Sequence, residues 1–233
     1  MNKEIFKINN IPAIVWGDKS TKLIIAVHGN MSNKADVPIE MLANVATNSG
    51  YQVLSFDLPQ HGDRKDEDTL CKVVPCVNDL TEVIKYAKSK WQNISLFANS
   101  IGAYFSLLAY KNEDLQHAWF LSPVVYMNRL ISNMMMWFNV SEEKLEQEKE
   151  IPTPIGQILY WDYYCYVKEN PIEKWDVPTH ILYGEKDDTC EFDTIKNFTE
   201  RFNCDLKRVP GGEHYFHTEE QLKALEDWFD KTI

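Results

Sequence analysis

A chain of 233 residues, 44% hydrophobic and 25% charged, is long enough to bury a sizeable core and too apolar to be disordered. Its Lys and Arg number 24 against 35 for Asp and Glu, and a net charge of −11 repels phosphate backbones and anionic lipid, which argues against nucleic acid as a partner. The first twenty residues hold no signal-peptide core, and no apolar run is long enough to span a bilayer, so a cytoplasmic protein without membrane insertion is expected.

Taken in order, the chain alternates strands and helices. EIFKI and AIVWG, separated by Asn9-Asn10, read as an antiparallel pair at a sheet edge. LIIAV (23–27) is a continuous apolar run, as a strand buried on both faces requires. A helix is expected over Val37–Ser49, stopped by Gly50, and YQVLSFD (51–57) is the next strand. After a polar loop reaching about Cys71, the residues Val77, Leu80, Val83, Ile84 and Ala87 repeat at helical spacing. ISLFA (94–98) is a strand and GAYFSLLAY (102–110) a helix directly behind it. HAWFLS (117–122), THILYG (179–184) and DLKRV (205–209) are further strands, with helices over Asp193–Phe202 and around Leu222, Leu225, Trp228 and Phe229. The pattern predicts an α/β fold with a mostly parallel central sheet and helices on both faces.

More than fifty residues separate Ser122 from Thr179, where such folds use a handful. The stretch carries a charged helix, SEEKLEQEKE (141–150), the run Met134-Met135-Met136-Trp137-Phe138, and the aromatic cluster Tyr160, Trp161, Tyr163, Tyr164 and Tyr166. A helical cap inserted at about 124–176 into a single domain of 1–233 is expected. Five cysteines, Cys71, Cys76, Cys165, Cys190 and Cys204, are odd in number and lack CxxC spacing. They read as packing residues rather than disulfides or a zinc site.

The strongest chemical signal is Phe97-Ala98-Asn99-Ser100-Ile101-Gly102-Ala103, lying between a strand and a helix. A serine on that sharp turn exposes its hydroxyl above the carboxyl end of the sheet, and small residues on either side let strand and helix approach. The Ile101 N–H lies at a helix N-terminus, where it can face a developing oxyanion. A serine needs a base and an orienting carboxylate. Gly184-Glu185-Lys186-Asp187-Asp188 and Gly211-Gly212-Glu213-His214 follow two strands on the same rim. Asp188 and Glu185 compete with Asp187 for the acid, and His217 competes with His214 for the base. Ser122 precedes Pro123, lacks an elbow and reads as structural.

Four motifs in this order resemble the α/β-hydrolase superfamily over nearly the whole chain: the His28-Gly29 turn, Asp57-Leu58-Pro59-Gln60-His61-Gly62, the serine elbow, and the two rim loops. Ala98 replaces the commoner glycine two residues before the serine. Gln60 replaces a common glycine in the aspartate-proline loop. The resemblance is to small bacterial serine hydrolases, and it implies that Ser100 attacks a carbonyl, His214 acts as base then acid, and Asp187 orients the imidazole. It also implies a second oxyanion donor at Asn30, with Met31 the alternative one residue on, and a loop-shaping role for His28 and His61.

The implied activity is cleavage of an ester, thioester or amide through an acyl-enzyme, with no metal and no cofactor, on a small-molecule acyl substrate. Acyl transfer by the same triad and a non-catalytic small-molecule receptor are the alternatives. Met31, Met134, Met135, Trp137, Phe138, Trp161 and Tyr164 are the candidate pocket lining. The sequence carries no signal for an oligomeric state.

Overall fold

The computed structural model describes all 233 residues. Strands β1 (Lys3–Ile8) and β2 (Ile11–Trp16) pair antiparallel, with Ile8 opposite Ile11. The tight turn between them puts Asn9 at φ 53°, a left-handed value that Asn tolerates. Next come β3 (Lys22–Val27), α1 (Val37–Asn48) and β4 (Gln52–Phe56). Helix α1 starts where the sequence places it, because Asp36 caps the Val37 N–H and Pro38 suits a first turn. Helix α2 (Val73–Lys88), β5 (Asn93–Asn99), α3 (Ile101–Ala109) and β6 (Ala118–Leu121) follow. The far half supplies β9 (Thr179–Gly184), α7 (Phe192–Phe202), β10 (Asp205–Val209) and α8 (Glu219–Thr232).

These strands form one eight-stranded sheet in the order β1-β2-β4-β3-β5-β6-β9-β10. Only β1–β2 and β2–β4 are antiparallel, and every pair from β4 onward is parallel. Alternation along a strand sends side chains to opposite faces. Leu23, Ile25 and Val27 of β3 therefore join a core with Leu80, Val83, Phe105, Ile195 and Phe198, while Ile24 and Ala26 join Leu42, Ala46, Trp228 and Phe229. Helices α2, α3 and α7 cover the first face, and α1 with α8 the second.

The segment between β6 and β9 is built of α4 (Met127–Trp137), α5 (Glu142–Glu148), a hairpin of β7 (Glu150–Pro152) and β8 (Ile158–Tyr160), and α6 (Trp161–Glu169). The hairpin adds to the helices that the sequence leads one to expect. Ile131, Met135, Leu145, Ile151, Leu159, Tyr164 and Val167 bury into the same core as α2 and α3. No helix is long and apolar enough to cross a membrane.

Candidate active site

Ser100 sits between the central strand β5 and α3, in the strained backbone of φ 52° and ψ −119° that a non-glycine residue adopts only when its surroundings hold it there. Three backbone bonds do so. The Ser100 N–H donates to the Leu121 carbonyl, and its own carbonyl accepts from the Val124 and Ala103 N–H groups. Gly102 is required by contact. A Cβ there would lie 2.4 Å from the His28 carbonyl oxygen and 2.8 Å from that of Val27, so α3 reaches the end of β3 only through a glycine. Although Ser100 occupies the N-cap of α3, its hydroxyl does not cap the helix and is free for another partner.

That partner is His214. Ser100 Oγ and His214 Nε2 are 2.9 Å apart, and His214 Nδ1 lies 2.8 Å from Asp187 Oδ2. The carboxylate can only accept, so Nδ1 carries the proton and the Nε2 lone pair faces the serine hydroxyl. Asp187 Oδ1 accepts from the Thr189 and Cys190 N–H groups at 2.9 and 2.8 Å, and its side chain is fully buried. The loops carrying Asp187 and His214 meet backbone to backbone. The Lys186 N–H donates to the Gly212 carbonyl, and a Cβ on Gly184 would lie within 2.5 Å of Gly212 and Glu213 backbone atoms.

The competing residues point elsewhere. Asp188 is exposed beside the Thr189 hydroxyl, and Glu185 pairs with Arg208 at 2.8 Å. His217 is half-exposed, stacked on Tyr215, with Nδ1 donating to the Tyr215 carbonyl. Ser122 is buried without a hydrogen-bond partner for its hydroxyl.

The loop after β3 passes close to the serine, with Gly29 packed against Ser100 Cβ. His28 Nδ1 donates to the Gly29 carbonyl at 2.7 Å, and Nε2 accepts the Leu58 N–H at 3.0 Å. Burial drives the His28 pKa down to about 4, so the ring is neutral as this bonding needs. Because a trans peptide directs its C=O and N–H in opposite directions, fixing the Gly29 carbonyl also fixes the Asn30 N–H. No backbone or side-chain acceptor in the protein takes that N–H, whereas the Met31 N–H is spent on His61 Nε2 at 3.1 Å. Of the two alternatives at this loop, Asn30 is the one with a free donor. Lys34 locks the loop further, giving its backbone N–H and Nζ to the two oxygens of buried Asp57.

The residues of the segment between β6 and β9 divide by helical rotation. On α4, Met135 turns inward with Ile131 and is 5% exposed, whereas Trp137, two positions on, is 50% exposed. On α6, Tyr164 is buried with Val167 and its hydroxyl donates to Glu142, so it belongs to the internal packing of this segment. Met135 and Tyr164 are thus packed within this segment, and Trp137 is turned partly to solvent. Met134, Phe138 and Trp161 stay half-buried against the core, and Met31 is almost fully exposed. Tyr163 and Tyr166, absent from the expected lining, approach α3 instead. Burial and then the neighbouring Tyr104, Cys71 and Cys76 hold the Tyr163 phenol well above its ordinary pKa. Their signal lies in the spacing of the aromatic cluster, since residues three apart share a face.

Asp187, Cys190 and His214 bring metal-ligand atom types within 4.8 Å of one another. Both Asp187 oxygens already hold N–H donors, and burial keeps the Cys190 thiol protonated. The group fits a hydrogen-bonded acid and base beside a packed thiol.

No family profile matches the chain, and neither does any curated protein. Solved structures do. Est1E from Butyrivibrio proteoclasticus with ferulic acid bound superposes with a TM-score of 0.80 at 19% identity, over 98% of this chain and 96% of that one. Mouse alpha/beta hydrolase domain-containing protein 10 gives 0.78 at 15% identity, over 99% and 98%. XC6422 from Xanthomonas campestris, described as an α/β serine hydrolase without a lid, gives 0.65 at 14% identity, over 95% and 87%. Strand order, the elbow after β5 and these superpositions agree: the chain has the fold of the α/β-hydrolase superfamily.

Proposed function

We propose that the protein is a serine hydrolase that cleaves a carboxylic ester, thioester or amide of a small molecule through an acyl-enzyme. The observation that carries this reading is the unbroken chain from Ser100 Oγ through His214 to a buried Asp187, at 2.9 and 2.8 Å. His214 Nε2 takes the hydroxyl proton as Oγ bonds to the substrate carbonyl carbon, and Asp187 stabilises the imidazolium that results. The negative charge collects on the carbonyl oxygen, facing the Ile101 and Asn30 N–H groups. His214 then passes its proton to the leaving group, and a water attacking the acyl-enzyme repeats the sequence.

Residues 1–233 act as one domain in this reading, with 124–176 as a cap whose Met134, Phe138, Trp161 and Tyr163 hold the acyl group. Five free thiols are consistent with a reducing cytoplasm.

A fluorophosphonate probe tests the nucleophile. Wild-type protein is expected to label at Ser100, and Ser100→Ala to abolish labelling and lower turnover by about three to six orders of magnitude. Labelling that survives this substitution, or that maps to Ser122, overturns the assignment. Because Est1E has ferulic acid bound, aromatic acyl esters join aliphatic ones in the substrate panel. Product analysis with an added alcohol separates hydrolysis from acyl transfer. Binding without turnover of any donor would favour a receptor.

A further inference from the structure

The loop before α2 and the first turns of that helix place two sulfurs together beneath the oxyanion loop. Cys71 Sγ and Cys76 Sγ are 3.6 Å apart, in contact, although the residues are five apart in sequence. Cys76 is buried and fixed by the helix, its N–H donating to the Lys72 carbonyl. Cys71 is half-buried in a loop, its N–H held by the Gln60 side chain. We propose that Cys71 and Cys76 form a reversible dithiol–disulfide site, in which Cys71 is the attacking thiol and Cys76 the resolving one.

The surroundings suit those roles. A disulfide bond of about 2.05 Å requires the sulfurs to close by only about 1.5 Å, which rotation of the loop side chain can supply. The Cys76 thiol, the His61 ring and the Arg64 guanidinium all favour a thiolate on Cys71, and together they bring it down to about 6 despite burial. Burial and the neighbouring Cys71 keep Cys76 protonated until Cys71 has reacted. The oxidant is a low-molecular-weight disulfide. Cys71 attacks one of its sulfurs and expels one thiol, and Cys76 then attacks the Cys71 sulfur and expels the other. Two protein thiols are oxidised and one small disulfide is reduced to two thiols, which carry away both protons.

The site touches the oxyanion loop through His61. Its Nδ1 donates to the Pro59 carbonyl at 2.8 Å, and Nε2 takes the Met31 N–H next to Asn30. Burial disfavours the imidazolium, but the Cys71 sulfur and the Pro59 carbonyl outweigh it and raise the His61 pKa. A disulfide sulfur is uncharged and a poor acceptor, so oxidation removes much of that support. Protonation of His61 would break the Met31 bond, with Asn30 Oδ1 at 3.2 Å as the replacement acceptor.

Incubation of the whole protein with glutathione disulfide tests the proposal. Wild-type protein is expected to lose two hydrogens, with a Cys71–Cys76 linkage in the peptide map that dithiothreitol reverses. Cys76→Ser should stop at one glutathione on Cys71, and Cys71→Ser should leave Cys76 free. The His61 pKa, followed by NMR, should fall on oxidation of the wild type and not of Cys71→Ser. Five free thiols after incubation, or a linkage to another cysteine, would overturn the proposal, as would an unmoved His61 for its coupling. An effect on turnover rests further on the reading of Asn30 as an oxyanion donor. Because oxidation keeps His61 neutral and its Met31 bond intact, turnover below the raised His61 pKa is expected to be higher in the oxidised protein than in the reduced one. The expected gain is about tenfold, less than the ~100-fold that outright loss of a donor costs. A linked enzyme whose turnover equals that of the reduced form across the pH range would remove the regulatory role and leave the redox site standing.

Discussion

Asp187 shows how one side chain is specified by its neighbours. With Oδ1 occupied by two backbone N–H groups, rotation of the carboxylate is blocked and Oδ2 is left pointing at His214 Nδ1. Asp187→Asn preserves the shape but offers an amide that cannot favour the imidazolium. It is expected to lower kcat by about four orders of magnitude near neutral pH with the fold intact. Asp188→Asn, altering an exposed carboxylate, should stay within a few-fold of wild type. Steady-state kinetics with a chromogenic ester decide between them, and the reverse ranking would move the acid one residue along.

At the scale of elements, the proposed cap is where specificity should reside. Alanine at Met134, Phe138 or Tyr163 is expected to shift the chain-length preference for p-nitrophenyl esters by about ten- to two-hundred-fold, with fluorophosphonate labelling retained. Trp137→Ala should change neither, because that ring faces outward. If the three inner substitutions altered only thermal stability, the acyl pocket would lie elsewhere. The contrast between sheet and cap also explains what the sequence reveals. Strands such as LIIAV and the loops carrying Ser100, Asp187 and His214 were legible because apolar runs and turn chemistry mark them locally. The rotation of α4 was not, since Met134-Met135-Met136-Trp137-Phe138 is apolar on every side and gives no period. The β7–β8 hairpin escaped because strands of three residues are too short to alternate.

For the whole molecule, the buried neutral His28 ties stability to pH. An unfolded chain protonates this imidazole near pH 6.5, whereas the folded protein resists until about 4. Between those values the unfolded state binds more protons, so stability is complete above about pH 6.5 and is lost as the pH falls toward 4. The loss from this one group is on the order of 3 kcal/mol. Urea midpoints measured from pH 7 to 4 should therefore fall more steeply for wild type than for His28→Gln, which cannot titrate. Parallel curves would mean that His28 is not the proton-sensitive group.

Ser100 and His214 leave the sheet from strands of very different security. Strand β5 is central, hydrogen-bonded on both sides and buried along most of its length, whereas β10 is the outermost strand, paired only with β9 and largely exposed. Ser100 thus stands on the best-secured part of the sheet, and His214 follows a margin that can fray by itself. Amide exchange in β10 should be faster than in β5, and gentle heating should abolish the proposed ester turnover before circular dichroism registers any loss of helix. Recovery of turnover on cooling would then follow the reclosing of one border strand. Coincident loss of activity and helix would instead mean that the border and the centre melt as one unit.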